Sequence, residues 1–144
     1  RCEGLCADPL CEAGVFSAAV ADYAPSAVNG APVEGGKLPS GQARFEVSFS
    51  PTPKVIDRVR ALRPDLEMVT FKYQEQLTHE ALMEIARGRA ERFGAVVANR
   101  GEERGAAGAQ VAWLFTQENL SAGLEPQRFE GKPTIARGVR PECR

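Results

Sequence analysis

The sequence predicts an α/β fold built on a largely parallel sheet, and three observations carry that expectation. Short apolar runs of strand length occupy residues 15–21, 67–73 and 95–98. Between them lie segments with apolar residues at helical spacing: Val55, Ile56, Val59 and Leu62 in one, Leu82, Ile85 and Phe93 in the other. Alternation of the two patterns implies helical crossovers, which return each strand parallel to the last.

Taken in order, residues 1–13 form a short helix or a loop, since Pro9 opposes a long helix. Residues 15–21 read as the first strand. It presents Asp22 at its carboxyl end, ahead of Tyr23 and Pro25, where open parallel sheets bind ligands. Residues 24–42 carry Pro25, Pro32, Pro39 and the Gly35-Gly36 pair before Lys37, and are expected to be a flexible loop or lid. Phe45, Val47 and Phe49 alternate with Arg44, Glu46 and Ser48, so residues 43–50 form a strand with one wet face, on a hairpin or arm outside the central sheet. Thr52 and Pro53 are expected to be the N-cap and first position of a helix that Pro64 ends. A strand over 67–73 follows, then a helix over 79–93 capped by Thr78 and stopped by Gly94. Residues 95–98 form a buried strand that delivers Asn99. A Gly/Glu/Arg loop over 100–108 leads to a strand over 110–116, and residues 117–144 read as a polar tail with a short edge strand.

The 144 residues suffice for one domain of moderate core, and 43% hydrophobic with 26% charged residues is the composition of an ordinary soluble globular chain. No apolar run is long enough to cross a bilayer and no signal peptide is evident, so a cytoplasmic protein without a membrane partner is expected. With 18 Lys+Arg against 19 Asp+Glu, no bulk charge favours nucleic acid, and none is expected as a partner. The chain begins at Arg1 rather than Met, so upstream residues are expected to be missing. Cys2, Cys6 and Cys11 are spaced C-x3-C-x4-C, which matches no common zinc or iron–sulfur pattern. Free thiols, or a disulfide or metal site linking Cys143 to one of the others, are the two readings, and no residues are assigned to a metal.

Neither G-x-G-x-x-G after a strand nor G-x-x-x-x-G-K-[ST] is present, which excludes a standard dinucleotide fingerprint and a Walker loop. The single histidine, His79, falls in the first turn of a helix and reads as a surface residue, so a hydrolytic triad is unsupported. Asp22 either binds a ribose or base edge or caps the next turn. Lys37 either neutralises phosphate or is merely solvated. The helix start at Pro53 offers N–H groups to an anion, as any helix does. Arg87, Arg89 and Arg92 read as a solvated face that suits the helix dipole. Asn99 either binds ligand or makes a turn.

Together, the order of these pieces resembles the phosphopantothenoylcysteine synthetase family, the phosphopantothenate–cysteine ligases known as the DNA/pantothenate metabolism flavoprotein carboxyl-terminal domain. The matching residues are Ser17-Ala18-Ala19-Val20-Ala21-Asp22-Tyr23 with Pro25, then Gly36-Lys37-Leu38, Pro51-Thr52-Pro53, Val69-Thr70-Phe71-Lys72 and Val96-Val97-Ala98-Asn99. They span roughly residues 12–116. The resemblance implies a Rossmann-like three-layer sandwich with a mainly parallel sheet and a β-arm for dimerisation, hence a homodimer. It implies a ligase of coenzyme A biosynthesis: CTP or ATP with Mg²⁺ activates the carboxylate of 4′-phosphopantothenate, and the amine of cysteine attacks the activated acyl group. Carried over by position, Lys37 and Asp22 are the catalytic candidates. Lys37 sits on the phosphates and stabilises charge developing in acyl transfer, while Asp22 recognises the nucleotide. Phe16, Ser17 and Ala18 line the base or ribose; Pro53, Lys54, Val55 and Ile56 form the helix start facing the nucleotide. Phe71 packs against it, and Arg87 falls where the family usually carries a phosphate-facing lysine. Asn99 is a further candidate.

Residues 1–144 are expected to form a single partial domain, because the family's amino-terminal half, with its first strand and Ser/Gly-rich substrate loop, is not among them. That half supplies much of the phosphopantothenate site, so the fragment alone is expected to be inactive or to depend on another polypeptide. Pro39 stands where many members have a second lysine, Lys54 replaces a common acid, and Arg87 is followed by Glu91 one turn on. Phe71-Lys72-Tyr73 resembles the eukaryotic-type strand more than the bacterial Phe-Ala-Ala, which leaves CTP or ATP open. The alternative from another class is a catalytically inactive nucleotide-binding or regulatory module on the same fold.

Overall fold

The structure, a computed structural model, describes residues 8, 10–18, 20–33, 41 and 43–139. The expectations for Cys2, Cys6, Cys143 and, above all, Lys37 lie outside the described residues. In chain order the strands are β1 (Ala13–Phe16), β2 (Tyr23–Val28), β3 (Ala31–Pro32), β4 (Val47–Pro51), β5 (Glu67–Gln74), β6 (Gly94–Arg100), β7 (Val111–Thr116) and β8 (Gln127–Glu130). The helices are α1 (Val55–Leu62), α2 (His79–Phe93), α3 (Gln117–Ser121) and α4 (Lys132–Gly138). The chain forms two compact units: residues 1–17 with 59–144, and residues 18–58.

The larger unit holds a five-stranded sheet in the order β1-β5-β6-β7-β8. β1 pairs parallel with β5 and β5 with β6, while β7 and β8 extend the sheet antiparallel. Side chains alternate faces along each strand, and the two faces carry separate cores. Val96, Ala98 and Phe115 meet Leu82, Ala86 and Ala90 of α2 on one face. Val69, Ala95, Val97, Ala112 and Leu114 face the other way, beneath Phe129, Ile135 and Val139. Helices on both faces of the sheet make this an α/β, Rossmann-like three-layer unit.

Local chemistry explains most boundaries. The Thr78 hydroxyl accepts from the Ala81 amide and starts α2, and Gly94 stops it at φ 105°, its N–H donating to Ala90 O. The buried stripe of α2 is Leu82, Ala86, Ala90 and Phe93; Ile85, expected inside, is 37% exposed because the small alanines let the helix sit close over β6. Leu62, also expected in a buried stripe, is 60% exposed, leaving Val59 as the buried anchor of α1. Residues 117–144 are more than a polar tail: α3, the expected edge strand β8 and α4 lie there, and Ile135 and Val139 cover one sheet face.

The first strand is shorter and earlier than predicted. Its register is set by the pairs Ala13–Glu67 to Phe16–Thr70, so the strand ends at Phe16 and Asp22 lies ahead of β2 rather than at the tip of β1. Much of the expected 24–42 loop is strand: β2 and β3 form a hairpin through Asn29 and Gly30, both at positive φ (49° and 79°), the requirement of a tight two-residue turn. β4 adds on the other edge of β2, giving the order β3-β2-β4 outside the central sheet, as expected of an arm. No residue of β4 is buried, so its expected dry face stays uncovered within this unit. Thr52 is not an N-cap, because α1 begins at Val55 and the Thr52 hydroxyl donates instead to Ala21 O.

Candidate functional site

The predicted site residues fall into two groups, one in each unit. In the smaller unit, Ala21 and Asp22 are stitched to residues 52–54. The Thr52 amide donates to Asp22 O at 2.9 Å, and the Asp22 carboxylate pairs with the Lys54 ammonium, 32 positions away in sequence. Both partners remain open to solvent, at 62% and 54% side-chain exposure. An anionic ligand arriving here meets a lysine already neutralised by an aspartate, so binding requires Lys54 to share or exchange its partner. Lys54 also supplies the carbonyl that accepts from the Asp57 and Arg58 amides, both at 3.2 Å. That makes Lys54 the residue at the helix boundary, leaving the Val55 and Ile56 amides in the first turn. Pro53, expected among the helix-start donors, carries no N–H.

In the larger unit, the carboxyl ends of the parallel strands bring Phe71 and Asn99 together. Val97 pairs with Phe71 and Asn99 with Tyr73, and alternation places all four on one face. Phe16 pairs with Thr70 and so belongs to the opposite face, the one that carries α2. Ser17 follows Phe16 and is exposed; Ala18, also exposed, belongs to the smaller unit. Arg87 is exposed in the second half of α2, a helix that starts at the carboxyl edge and runs back along the sheet. Its Cα therefore sits roughly 12 Å along the helix from His79, and the fold does not bring its backbone to the Asn99 edge.

Several residues at this edge escaped sequence reasoning. Tyr73 is 51% exposed, and its hydroxyl donates to the Glu75 carboxylate, which pushes the phenol pKa up. Gly101 packs against that hydroxyl; a Cβ there would lie 2.7 Å from it. The Glu102 carboxylate accepts from the Gln76 amide at 2.6 Å, which holds its pKa below the usual glutamate value. His79, read as a surface residue, is partly buried between Glu103 and Trp113. Isolated charges carried no periodic signal, so only the strand register reveals these neighbours.

At the opposite edge of the strands lies an open cleft of about 440 Å³, lined by Arg60, Leu66, Glu67, Arg92, Gly94 and Thr116 among others. Arg60 donates to the carbonyls of Arg63, Pro64, Leu66 and Phe93, so its guanidinium acts as a clamp between α1 and the start of β6. Among the described residues no three His, Cys, Asp or Glu side chains converge as a metal cluster. Cys11 is a free thiol.

No protein-family profile matches the chain. Over 87 residues, 59% of the chain, it is 42% identical to the coenzyme A biosynthesis bifunctional protein CoaBC of Thermococcus kodakarensis. The chain resembles the family its motifs named. That match covers 20% of the CoaBC protein, so the chain spans only a small part of this relative's length. The fold is that of the DNA/pantothenate metabolism flavoprotein from Streptococcus pneumoniae, with a TM-score of 0.69 and 20% identity over 89% of this chain and 60% of that one. Two Cab2 mutant structures, one a complex with phosphopantothenate-cysteine, superpose at TM-scores of 0.49 and 0.40, with 16% and 13% identity. They cover 89% and 65% of this chain and 41% and 32% of theirs.

Proposed function

We propose that the chain is part of a phosphopantothenate–cysteine ligase of coenzyme A biosynthesis. The single observation that carries this reading is the 42% identity over 87 residues to CoaBC. In the proposed reaction the phosphopantothenate carboxylate attacks the α-phosphorus of CTP or ATP and releases pyrophosphate. The cysteine amine then attacks the acyl carbon of the mixed anhydride, and the nucleoside monophosphate leaves. Asp22 recognises the nucleotide, Lys54 gives up part of its contact with Asp22 to meet the phosphates, and Lys37 stabilises the charge developing during transfer. Phe71 and Asn99 line the carboxyl edge of the sheet. Mg²⁺ would enter with the triphosphate, held by its oxygens and by retained water, and would supply charge neutralisation at the phosphates.

A homodimer is proposed through the β2–β4 arm. Pro25 pairs with Phe49 and Val28 with Val47, so one face of this small sheet is apolar. Tyr23 and Phe49 are each 59% exposed on it, an arrangement that favours burial against a second copy. Among the described residues no helix is long and apolar enough to cross a membrane; a cytoplasmic location is part of the proposal.

The test is an assay of the full-length protein with phosphopantothenate, cysteine and Mg²⁺, supplied with CTP or ATP, detecting phosphopantothenoylcysteine by mass. Lys37→Ala is expected to slow turnover far more than it weakens nucleotide binding. Nucleotide binding without product from either triphosphate would overturn the ligase reading in favour of an inactive binding module.

A further inference from the structure

Glu103 collects contacts from three elements, and nothing in the ligase reading employs it. One carboxylate oxygen accepts from the Trp113 indole N–H of β7 at 3.1 Å. The other lies 3.4 Å from His79 Nδ1 at the start of α2 and 3.7 Å from Arg100 Nε at the end of β6. The Glu103 and Arg100 side chains are each only 21% exposed, so solvent screens the pair weakly. Arg100 is tied a second time, donating to the Leu77 carbonyl just before α2. The His79 ring stands edge-on to Trp113, with centroids 4.9 Å apart and planes at 68°. Glu80, the next residue of α2, is also near His79 and Arg100; its pKa is held down first by its own backbone amide and by the Thr78 hydroxyl, and to a smaller extent by these two neighbours.

The position of this hub matters because of where the ladder stops. β6 pairs with β7 only from Ala95 to Ala98. Asn99 and Arg100 are held by β5 alone, opposite Tyr73 and Gln74. A strand end paired on one side frays readily. Glu103, bonded to Trp113, supplies a hold from the β7 side. Alternation then sends Arg100 toward α2 and Asn99 to the other face, with Phe71.

We propose that Glu103 is a positioning residue that, by joining Arg100, His79 and Trp113, fixes the end of β6 so that Asn99 faces the ligand edge of the sheet. A carboxylate suits this point: the Trp113 N–H donates to one oxygen, while His79 Nδ1 and the otherwise unpartnered Arg100 Nε face the other, and an amide in its place turns an N–H group toward one of these neighbours. The ligand served by Asn99 is the one assigned by the proposed function; the immobilisation of the strand end stands apart from that assignment.

The experiment compares the full-length protein with Glu103→Gln. Amide exchange at residues 99–103 is expected to rise tenfold or more while the amides of α2 and β7 stay protected, and the emission of Trp113, the single tryptophan, is expected to shift. In the ligase assay the KM for nucleotide or phosphopantothenate is expected to rise several-fold with kcat within twofold. A general loss of folded protein would instead lower kcat and leave KM alone. Arg100→Lys, which keeps the charge but loses the planar fork, is expected to give the same pattern with smaller amplitude, and it serves if Glu103→Gln does not fold. Unchanged exchange at 99–103 overturns the positioning role whether or not the protein is a ligase. Faster exchange with unchanged KM overturns its link to ligand. An unsubstituted protein that makes no product counts against the ligase reading and leaves exchange to decide the role of Glu103.

Discussion

Lys54→Met separates the structural from the functional reading of the Asp22–Lys54 pair. The substitution removes the ammonium and keeps an apolar stem of similar length. Because the two side chains are 54% and 62% exposed, their contact contributes roughly 0.2–1 kcal/mol to stability. The main-chain ties survive the change: Thr52 N–H still reaches Asp22 O, and the carbonyl at position 54 still accepts from the amides of residues 57 and 58. The unfolding midpoint is therefore expected to fall by less than about 4 °C. In the proposed nucleotide role the same ammonium would make a charge-assisted hydrogen bond to the triphosphate worth about 1.5–3 kcal/mol, so on that proposal nucleotide affinity is expected to fall about tenfold to a hundredfold. Circular dichroism during thermal and urea unfolding measures the first quantity, and calorimetric titration with Mg-CTP and Mg-ATP at fixed ionic strength measures the second. Combined with Asp22→Asn in a double-mutant cycle, the coupling is expected below about 1 kcal/mol in stability. A stability loss above about 2 kcal/mol with unchanged nucleotide affinity would refute the reasoning and make the pair a structural tie.

Two further outcomes are expected. Phe115 is 2% exposed and closes the core facing Leu82, Ala86, Ala90 and Val96; its truncation to Ala leaves a cavity costing about 3–5 kcal/mol, which urea unfolding followed through Trp113 emission measures. Asp65 is held by the Arg63 guanidinium, which lowers its pKa from 3.8 to about 2. A depressed carboxylate stabilises the fold above its unfolded pKa and loses that contribution as pH falls from about 4 toward 2. Asp65→Asn is thus expected to lower the urea midpoint at pH 6 and to match the parent near pH 2, with equal differences at both pH values contradicting this linkage.

The central elements were legible because their signals are local. Thr78 and Gly94 bracket α2 at the predicted residues, since a cap hydroxyl and a residue free of Cβ strain act within one helical turn. β5 was placed to within one residue by its apolar run, and the strand predicted over 43–50 lies outside the central sheet as expected but forms only over Val47–Pro51, residues 43–46 being irregular. The failures came where composition outweighed pattern. Proline and glycine in residues 24–42 suggested a loop, yet Asn29-Gly30 is a hairpin turn between β2 and β3. The small residues 17–21 looked like a continued strand, but pairing with β5 ends at Phe16.

For the candidate site, residue identity and order were enough to name the family that the chain resembles, and through it to nominate Asp22, Lys54, Phe71 and Asn99 as candidates. Only the tertiary structure decided their company. It joined Asp22 to Lys54 across 32 positions, put Phe16 on the sheet face opposite Phe71 and Asn99, and assembled Glu103, Arg100, His79 and Trp113 from three elements. The reason is range. Caps, turns and periodicity are set by neighbours a few residues apart and are written in the chain. Which side of a sheet a residue occupies, and which charges meet there, follows from strand register, which is fixed only when distant segments pair.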